Sequence, residues 1–464
     1  MQLIKHKHHV ADLGKDKISS LILKLAIPSM LAQFVNVLYG IVDRIYIGNI
    51  AGIGNLALAG VGICAPIITL ITSFSFLVGL GGSPLVSMRL GEKKPEEAQK
   101  IMSNCFFMLL VISVALTILF MFIKRPLLLL FGASEFTLPY ANEYLTIYLI
   151  GNIFAILTVG LNSFIICQGF SKISMCTVLI GAFLNIILDP LFIFAFDMGV
   201  AGAAIATVIS QAVSCAFVIF FLLSGKSQIK LSIKNLSGKI MGKIMALGFS
   251  PFMIVATESI VLILFNIILQ KYGGEALGDF YIGVATIVVS YMQLITMPMG
   301  GITMGCQPIL SYNYGAKDIV RVKKAFWGMN IICVAFTAIM FIFSMSIPHL
   351  FARIFTADAH TIEVSARAIR IFTMCIIPLG VQYACVDSLT ALGQAKLAIT
   401  LSMTRKMVIM TSMIIILPIF LGAEGVFFAE PIADLASAII SATVCLLVLN
   451  KLLNKRLLDS ELPI

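Results

Sequence analysis

Apolar runs of about 20 residues recur along the whole chain, each closed by a short polar and mostly basic stretch. Helices of that length cross the roughly 30 Å hydrocarbon core of a bilayer with every backbone group satisfied internally. The pattern predicts twelve of them, over residues 21–47, 56–83, 98–123, 140–167, 173–196, 200–223, 246–271, 280–310, 325–347, 366–391, 397–421 and 425–450. The expected fold class is an all-α polytopic membrane protein. The first run, from Leu21, is too long for a signal-peptide core and no small-residue cleavage site follows it, so a retained first span is expected.

The polar stretches carry their own pattern. With the N-terminus placed in the cytoplasm, twenty-three Lys and Arg residues fall on inner segments, whereas the outer loops hold only Lys124, Arg125, Lys271 and Arg353. That imbalance is a positive-inside signal and puts both termini in the cytoplasm. Composition agrees, with 60% hydrophobic and only 12% charged residues and a mean hydropathy of +1.05. The net charge of +10 then reflects topology rather than a nucleic-acid partner. The ten cysteines form no CxxC pair and read as free thiols, not as a disulfide or metal framework. The tail His6–His9 reads as a solvated basic tail, with metal binding as the alternative.

The two halves repeat at an offset of about 224 residues. GGSPLVSMRLGEKK around Pro84 and Gly91 matches MGCQPILSYNYGAKD around Pro308 and Gly315. Gly169 and Lys172 match Gly393 and Lys396, while Gly199 and Gly202 match Gly422 and Gly425 at an offset of 223. Six spans per half give both halves the same orientation, which predicts two pseudo-symmetric six-helix lobes around a central cavity. The expected units are a first lobe over 1–223, a basic linker over 224–245, a second lobe over 246–450 and a tail over 451–464. The linker lysines would meet anionic lipid headgroups or serve as a polar tether.

Six acids lie well inside spans: Asp43, Asp189, Glu258, Asp387, Glu430 and Asp434. A carboxylate at that depth costs several kcal/mol unless paired or hydrated, so these are the candidates for function. Counting helical rise from the span ends places Asp43, Asn185, Asp189 and Thr207 within roughly two turns of one level in the outer half of the bilayer. Asn185 and Asp189, at i and i+4, share a helix face, and Pro190 frees the carbonyl of Ile186 and kinks the helix. Two carboxylates brought close in low dielectric share a proton or hold a cation between them. Their oxygens, with the amide and hydroxyl, are hard ligands suited to Na⁺ or a proton. An interhelical hydrogen-bond cluster is the alternative reading of these four residues.

The second half replaces this set. Asn266 stands opposite Asp43, Ile409 and Met413 opposite Asn185 and Asp189, and Glu430 opposite Thr207. Arg405 and Lys406 are cations inside span 11, tolerable if paired with Asp434 or Asp387. For Glu258, Asp387, Glu430, Asp434 and Arg405, structural ion pairing, secondary coupling and substrate contact all stay open.

YGIVDRIYIG around Asp43, LNIILDPLFIF followed by GVAGAAIAT, and the pair LSYNYGAK and SMRLGEKK resemble the multidrug and toxic compound extrusion (MATE) family, near its bacterial MepA-like and DinF-like members. The resemblance runs from AIPSM near Pro28 to the last span. It implies an antiporter of a bacterial inner membrane that exports cationic, lipophilic drugs in exchange for H⁺ or Na⁺, with no cofactor and as a monomer. It places the family's cation-coupling roles on Asp43, Asn185, Asp189 and Thr207, with Na⁺ as a possible occupant, and matches Glu258 only weakly to a coupling Glu.

Alternating access in such an exporter would place substrate among Phe, Met and Tyr side chains of the central cavity, with membrane lipid around the lobes. A flippase for a lipid-linked saccharide is the alternative transporter, and a basic cavity lining at Arg405 and Lys406 would favour it. An enzyme is not expected: no His–Asp pair lies within a span and no GxSxG or HExxH motif occurs.

Overall fold

The computed structural model describes residues 12–50, 53–131, 133, 135–233, 236–355 and 358–458. The His6–His9 tail lies outside the described residues, as does the end of the predicted C-terminal tail from 459 onward.

The long apolar runs form helices: α1 (Ile18–Gly48), α2 (Gly54–Gly91), α3 (Pro95–Leu130), α4 (Leu138–Cys167), α5 (Ser171–Pro190) and α6 (Gly199–Leu223). After a short extended segment, a helical stretch runs from Gly238 to Gly315. Gly248 within it packs on Leu77, and Gly315 packs on Met88. Leu77 and Met88 lie only about 16 Å apart along α2, whereas a straight helix would separate Gly248 from Gly315 by about 100 Å. The stretch therefore doubles back and crosses twice, as α7 (Gly238–Gly273) and α8 (Phe280–Gly315).

Next come α9 (Ile319–Ser346), a single turn at Pro348–Ala352, and the pair α10 (Ala359–Phe372) and α11 (Ile376–Ala391), which meet at 48° and make one broken span. The sequence pattern predicts this span as unbroken from residue 366. The helix instead begins at Ala359 and breaks at Thr373–Cys375. Finally α12 (Ala395–Met403), a π-helical segment Thr404–Met410, α13 (Thr411–Leu421), a 3₁₀ segment Gly422–Phe428 and α14 (Ala429–Leu458) fill the remaining stretch. Arg405 hydrogen-bonds Asp434, 29 residues away, which a straight helix would hold about 44 Å apart. The stretch thus folds at Gly422, whose φ is +66°, and crosses twice. Among the described residues, ten apolar stretches and the broken pair, with this last stretch counted twice, give twelve crossings.

The repeat is visible in the backbone. Gly169 and Gly393 sit at φ +90° and +78°, Lys93 and Lys317 both at +60°, and Gly199 and Gly422 at +53° and +66°. The first two pairs end helices in the same way. Gly169 N–H bonds Ile166 O and Phe170 N–H bonds Ile165 O, while Gly393 N–H bonds Thr390 O and Gln394 N–H bonds Leu389 O. This left-handed closure satisfies the last carbonyls of a helix, and glycine enters it without a Cβ penalty.

Packing between the halves is concentrated at the end that carries the termini. A methyl group at Gly248 would overlap the Leu77 carbonyl, and one at Gly315 would overlap that of Met88, so both glycines permit backbone contact with α2. Gly301 and Gly305 of α8 similarly face Ser29 and Leu25 of α1. Arg321 on α9 donates to the carbonyls of Leu13 (2.9 Å) and Asp16 (2.8 Å), tying the segment before α1 to the second half. One apolar core joins Leu21–Ala26 to Ile302–Leu310 and Cys445–Leu453. Towards the opposite end the cores separate, one built from the first six helices with Ile229, Leu231 and Ile244 added, and one from residues between Val261 and Ala433.

The linker is not a loose tether. Gln168 accepts hydrogen bonds from Ser227 Oγ (2.9 Å) and Ile229 N–H (3.1 Å), and Asn104 Oδ1 accepts from Ser237 N–H (2.7 Å). Helix α7 begins at Gly238, so Lys239 and Lys243 are helical, and α14 continues to Leu458. All ten cysteines are free thiols, eight of them buried.

Candidate functional site

Helices α1, α5 and α6 bring together the four residues that depth had grouped. Asn185 Nδ2 donates to Asp189 Oδ1 at 3.0 Å and reaches Thr207 Oγ1 at 3.5 Å. The first bond spans one turn of α5, as i,i+4 spacing requires. The Asp43 carboxyl on α1 meets that of Asp189 at hydrogen-bonding range. Asp189 is fully buried, Asn185 and Thr207 nearly so, and Asp43 is 9% exposed.

The site is rich in acceptors without donors. Asp43 Oδ1, Asn185 Oδ1 and Asp189 Oδ2 are buried and lack any hydrogen-bond partner. An unsatisfied buried oxygen costs about 1–3 kcal/mol, more if charged, so three at one place mark a position for a proton or a cation. Two carboxyls in contact cannot both remain charged without one. The donors are hard oxygens, which fit Na⁺ and do not select a soft transition metal. Among the described residues no three His, Cys, Asp or Glu side chains gather as a metal-binding group.

A ring of phenols surrounds this pair and is not evident from the polar pattern alone. Tyr39 stands one turn before Asp43 on α1 and lies within electrostatic reach of both acids. Tyr144 on α4 stands beside Thr207, and Tyr148, one turn further on, stands beside Thr72 and Gln211. The i,i+4 spacings of Tyr39 with Asp43 and of Tyr144 with Tyr148 were the available signal.

Pro190 does not end the span, but the α-helical register does end there. The helix continues as a π-helical turn, Leu191–Ala195, in which Phe196 N–H bonds Leu191 O at 2.9 Å. An i→i+5 register accommodates the residue that cannot donate, and such wide turns recur at functional sites. The turn starts two residues after Asp189, on the side away from Asn185.

The second half builds a different cluster. Arg405 Nε donates to Asp434 Oδ1 at 3.0 Å, and its Nη2 reaches both Asp434 Oδ1 (2.8 Å) and Glu430 Oε1 (2.7 Å). All three side chains are at most 3% exposed. The Tyr383 ring lies 5.9 Å from the guanidinium carbon. Pairing with Asp434 was anticipated, Glu430 was not, and Asp387 is not a partner: its carboxyl contacts Thr303 instead. Asp387 and Lys406 line a small pocket with Gln382, Tyr383, Ser402 and Arg405. Glu258 is half-buried and forms no ion pair among the described residues. The structure therefore joins Arg405, Glu430 and Asp434 in one ion-paired set and leaves Glu258 and Asp387 outside that pairing, with Asp387 beside Arg405 in the pocket and both acids within electrostatic reach of Tyr383.

Known proteins place this architecture. The MatE family model matches residues 28–191 and, a second time, residues 252–416, one copy in each half of the repeat. The chain is 25% identical over 429 residues to the multidrug export protein MepA of Staphylococcus saprophyticus, covering 92% of this chain and 93% of that protein. MepA of Staphylococcus aureus is 23% identical over 445 residues, with 94% and 96% covered. Among solved structures, an outward-facing MATE family transporter of the MOP superfamily superposes with a TM-score of 0.88 at 22% identity, covering 96% of this chain and 98% of that one. A MOP superfamily transporter from Pyrococcus furiosus, described as having a binding pocket of reverse polarity, reaches 0.89 at 22% identity with the same coverage.

Proposed function

The chain belongs to the MatE family, and on that premise we propose that it is a secondary multidrug exporter whose coupling ion, H⁺ or Na⁺, binds at Asp43 and Asp189. It is a multi-pass membrane transporter and not an enzyme. The MepA relatives are multidrug export proteins by name, which supports cationic or lipophilic drugs as substrates. The observation that carries the coupling is the contact of two buried carboxyls with three partnerless oxygens around them.

In this reading the ion enters from the end of the molecule where the two cores separate. It neutralises the Asp43–Asp189 pair, with Asn185 orienting Asp189 and Thr207 supplying a further oxygen. A neutral site and a charged one favour different packings of α1 against α5 and α6, and an ion that binds one packing better shifts the population. Drug release would follow on that same side, and the close glycine contacts at the termini would open in the opposite phase. The positive-inside pattern supports both termini in the cytoplasm.

The flippase reading needs a basic cavity lining. Arg405 is compensated by two acids and Lys406 shares its pocket with Asp387, so no such lining supports it. Ethidium export from proteoliposomes with pH and Na⁺ gradients imposed separately tests the proposal. Export driven by one gradient and not by the other identifies the ion, and export that ignores both excludes coupled antiport.

A further inference from the structure

The repeat places the two buried clusters in register. At the offset of 223, Glu430 corresponds to Thr207 and Asp434 to Gln211. At the offset of 224, Arg405, Ile409 and Met413 correspond to Gly181, Asn185 and Asp189. Thr207 accepts a hydrogen bond from a donor on α5, and Glu430 accepts one from the matching part of the eleventh span. In the first half the donor is a neutral amide, and among the described residues the acids beside it form no ion pair, Arg44 acting on Asp43 only through its field. In the second half it is a guanidinium, which reaches both acids of α14. At the matching position of the first half stands Gly181, where a Cβ would lie 2.6 Å from Ser214 Oγ and that hydroxyl would have to turn away.

We propose that Arg405 is a tethered cation that permanently fills a latent monovalent-cation site formed by Glu430 and Asp434, and so confines ion exchange to Asp43 and Asp189. Asp434 Oδ2 is fully buried and has no partner, so the site keeps an oxygen free for a ligand smaller than a guanidinium. Two carboxylates held about one turn apart on α14, sealed from water, cannot both stay charged when the guanidinium is withdrawn. They then take a proton or a small cation such as Na⁺. The π-helical turn at Thr404–Met410 belongs to the same device: it buries Arg405 and Lys406 side by side, while the Thr411 hydroxyl bonds the Lys406 carbonyl five residues back at 3.0 Å. This inference rests on the coupling role of Asp43 and Asp189 only for the part that names where exchange remains.

The test counts exchangeable cations bound to purified chain in lipid nanodiscs, using radioactive Na⁺ and, in parallel, proton uptake reported by a pH dye. The Asp43→Asn/Asp189→Asn variant, with Arg405 in place, is expected to bind none. Adding Arg405→Ala is expected to restore one equivalent per chain, as Na⁺ or as a proton. Methylguanidinium should displace it, and further substitution of Glu430→Gln and Asp434→Asn should abolish it. Monodisperse Arg405→Ala protein that gains no equivalent overturns the proposal. So does an equivalent that survives in Asp43→Asn/Asp189→Asn and disappears with Glu430→Gln/Asp434→Asn, an arm that needs no change at Arg405. A wild-type chain without any exchangeable cation would instead refute the coupling at Asp43 and Asp189, because the gain on removing Arg405 is read as a difference between variants.

Discussion

Two clusters of buried acids sit in equivalent halves of this molecule and solve the same electrostatic problem in opposite ways. Asp43 and Asp189 face each other beside an amide, a hydroxyl and phenols, form no ion pair among the described residues although Arg44 lies within electrostatic reach of Asp43, and three of the surrounding oxygens have no donor. Glu430 and Asp434 face a guanidinium that bonds both. A buried charge with a fixed partner is a structural element, whereas a buried charge without one must acquire its partner from solution. On the proposed coupling, divergence of the repeat at a few positions leaves one half able to exchange an ion and one half held closed to it.

The sharpest way to break this contrast is to remove the partner. Arg405→Ala leaves two buried acids uncompensated and should destabilise the fold by about 3–5 kcal/mol, read as a large drop in melting temperature in detergent. The combined change Arg405→Met/Glu430→Gln/Asp434→Asn removes the charges together, and its melting temperature should return towards the wild-type value. Equal losses for both variants would show that packing, not charge, dominates the cluster.

The halves are also joined unequally, since their backbones touch near the termini and their cores part towards the other end. Gly248→Ala forces a methyl against the Leu77 carbonyl and should cost about 1–3 kcal/mol of that contact. Spin-label distances between the termini-side ends of α2 and α7 should lengthen in the variant. Unchanged distances would mean the contact is not what holds this end shut.

Within the first half, Thr207→Val removes one oxygen while preserving shape. A single hydrogen-bonding group contributes about 1 kcal/mol, so apparent cation affinity should fall about fivefold with the maximal export rate retained. Loss of export would promote Thr207 from helper to essential ligand.

The smallest effect is expected at the aqueous rim. Asp358, fully exposed, caps α10 by accepting from the Thr361 N–H (2.8 Å) and hydroxyl (2.6 Å), and these bonds hold its carboxyl below the usual range. Its folded value lies below its unfolded one, so the contribution is present above the unfolded carboxylate range and is lost as pH falls through the folded value. Asp358→Ala should slightly lower the melting temperature near neutral pH and converge with wild type in acid. A difference that persists in acid would assign the effect to something other than the carboxylate.

How much of this was legible in the sequence follows from what each residue costs. Asp43, Asn185, Asp189 and Thr207 were legible because polar groups are expensive in apolar runs and helical rise converts position into depth. Tyr39, Tyr144 and Tyr148 were not singled out, since a phenol fits an apolar run without penalty and its contacts join helices distant in the chain. Arg405 was flagged, but its second partner was not. Glu430 aligns with Thr207 in the repeat, and only the fold at Gly422 shows that its side of α14 meets the π-helical turn. Pro190 announces a change in the helix, and that the change takes the form of a π-helical turn shows only in the fold.

The central claim is that the first-half acid pair, and not the second-half cluster, carries the coupling. Its most direct test is gradient-driven ethidium export from proteoliposomes carrying equal amounts of wild-type or Asp189→Asn protein. The account predicts that Asp189→Asn exports no faster than protein-free vesicles while remaining folded and inserted. Export by Asp189→Asn at the wild-type rate, under the same pH or Na⁺ gradient, would contradict it.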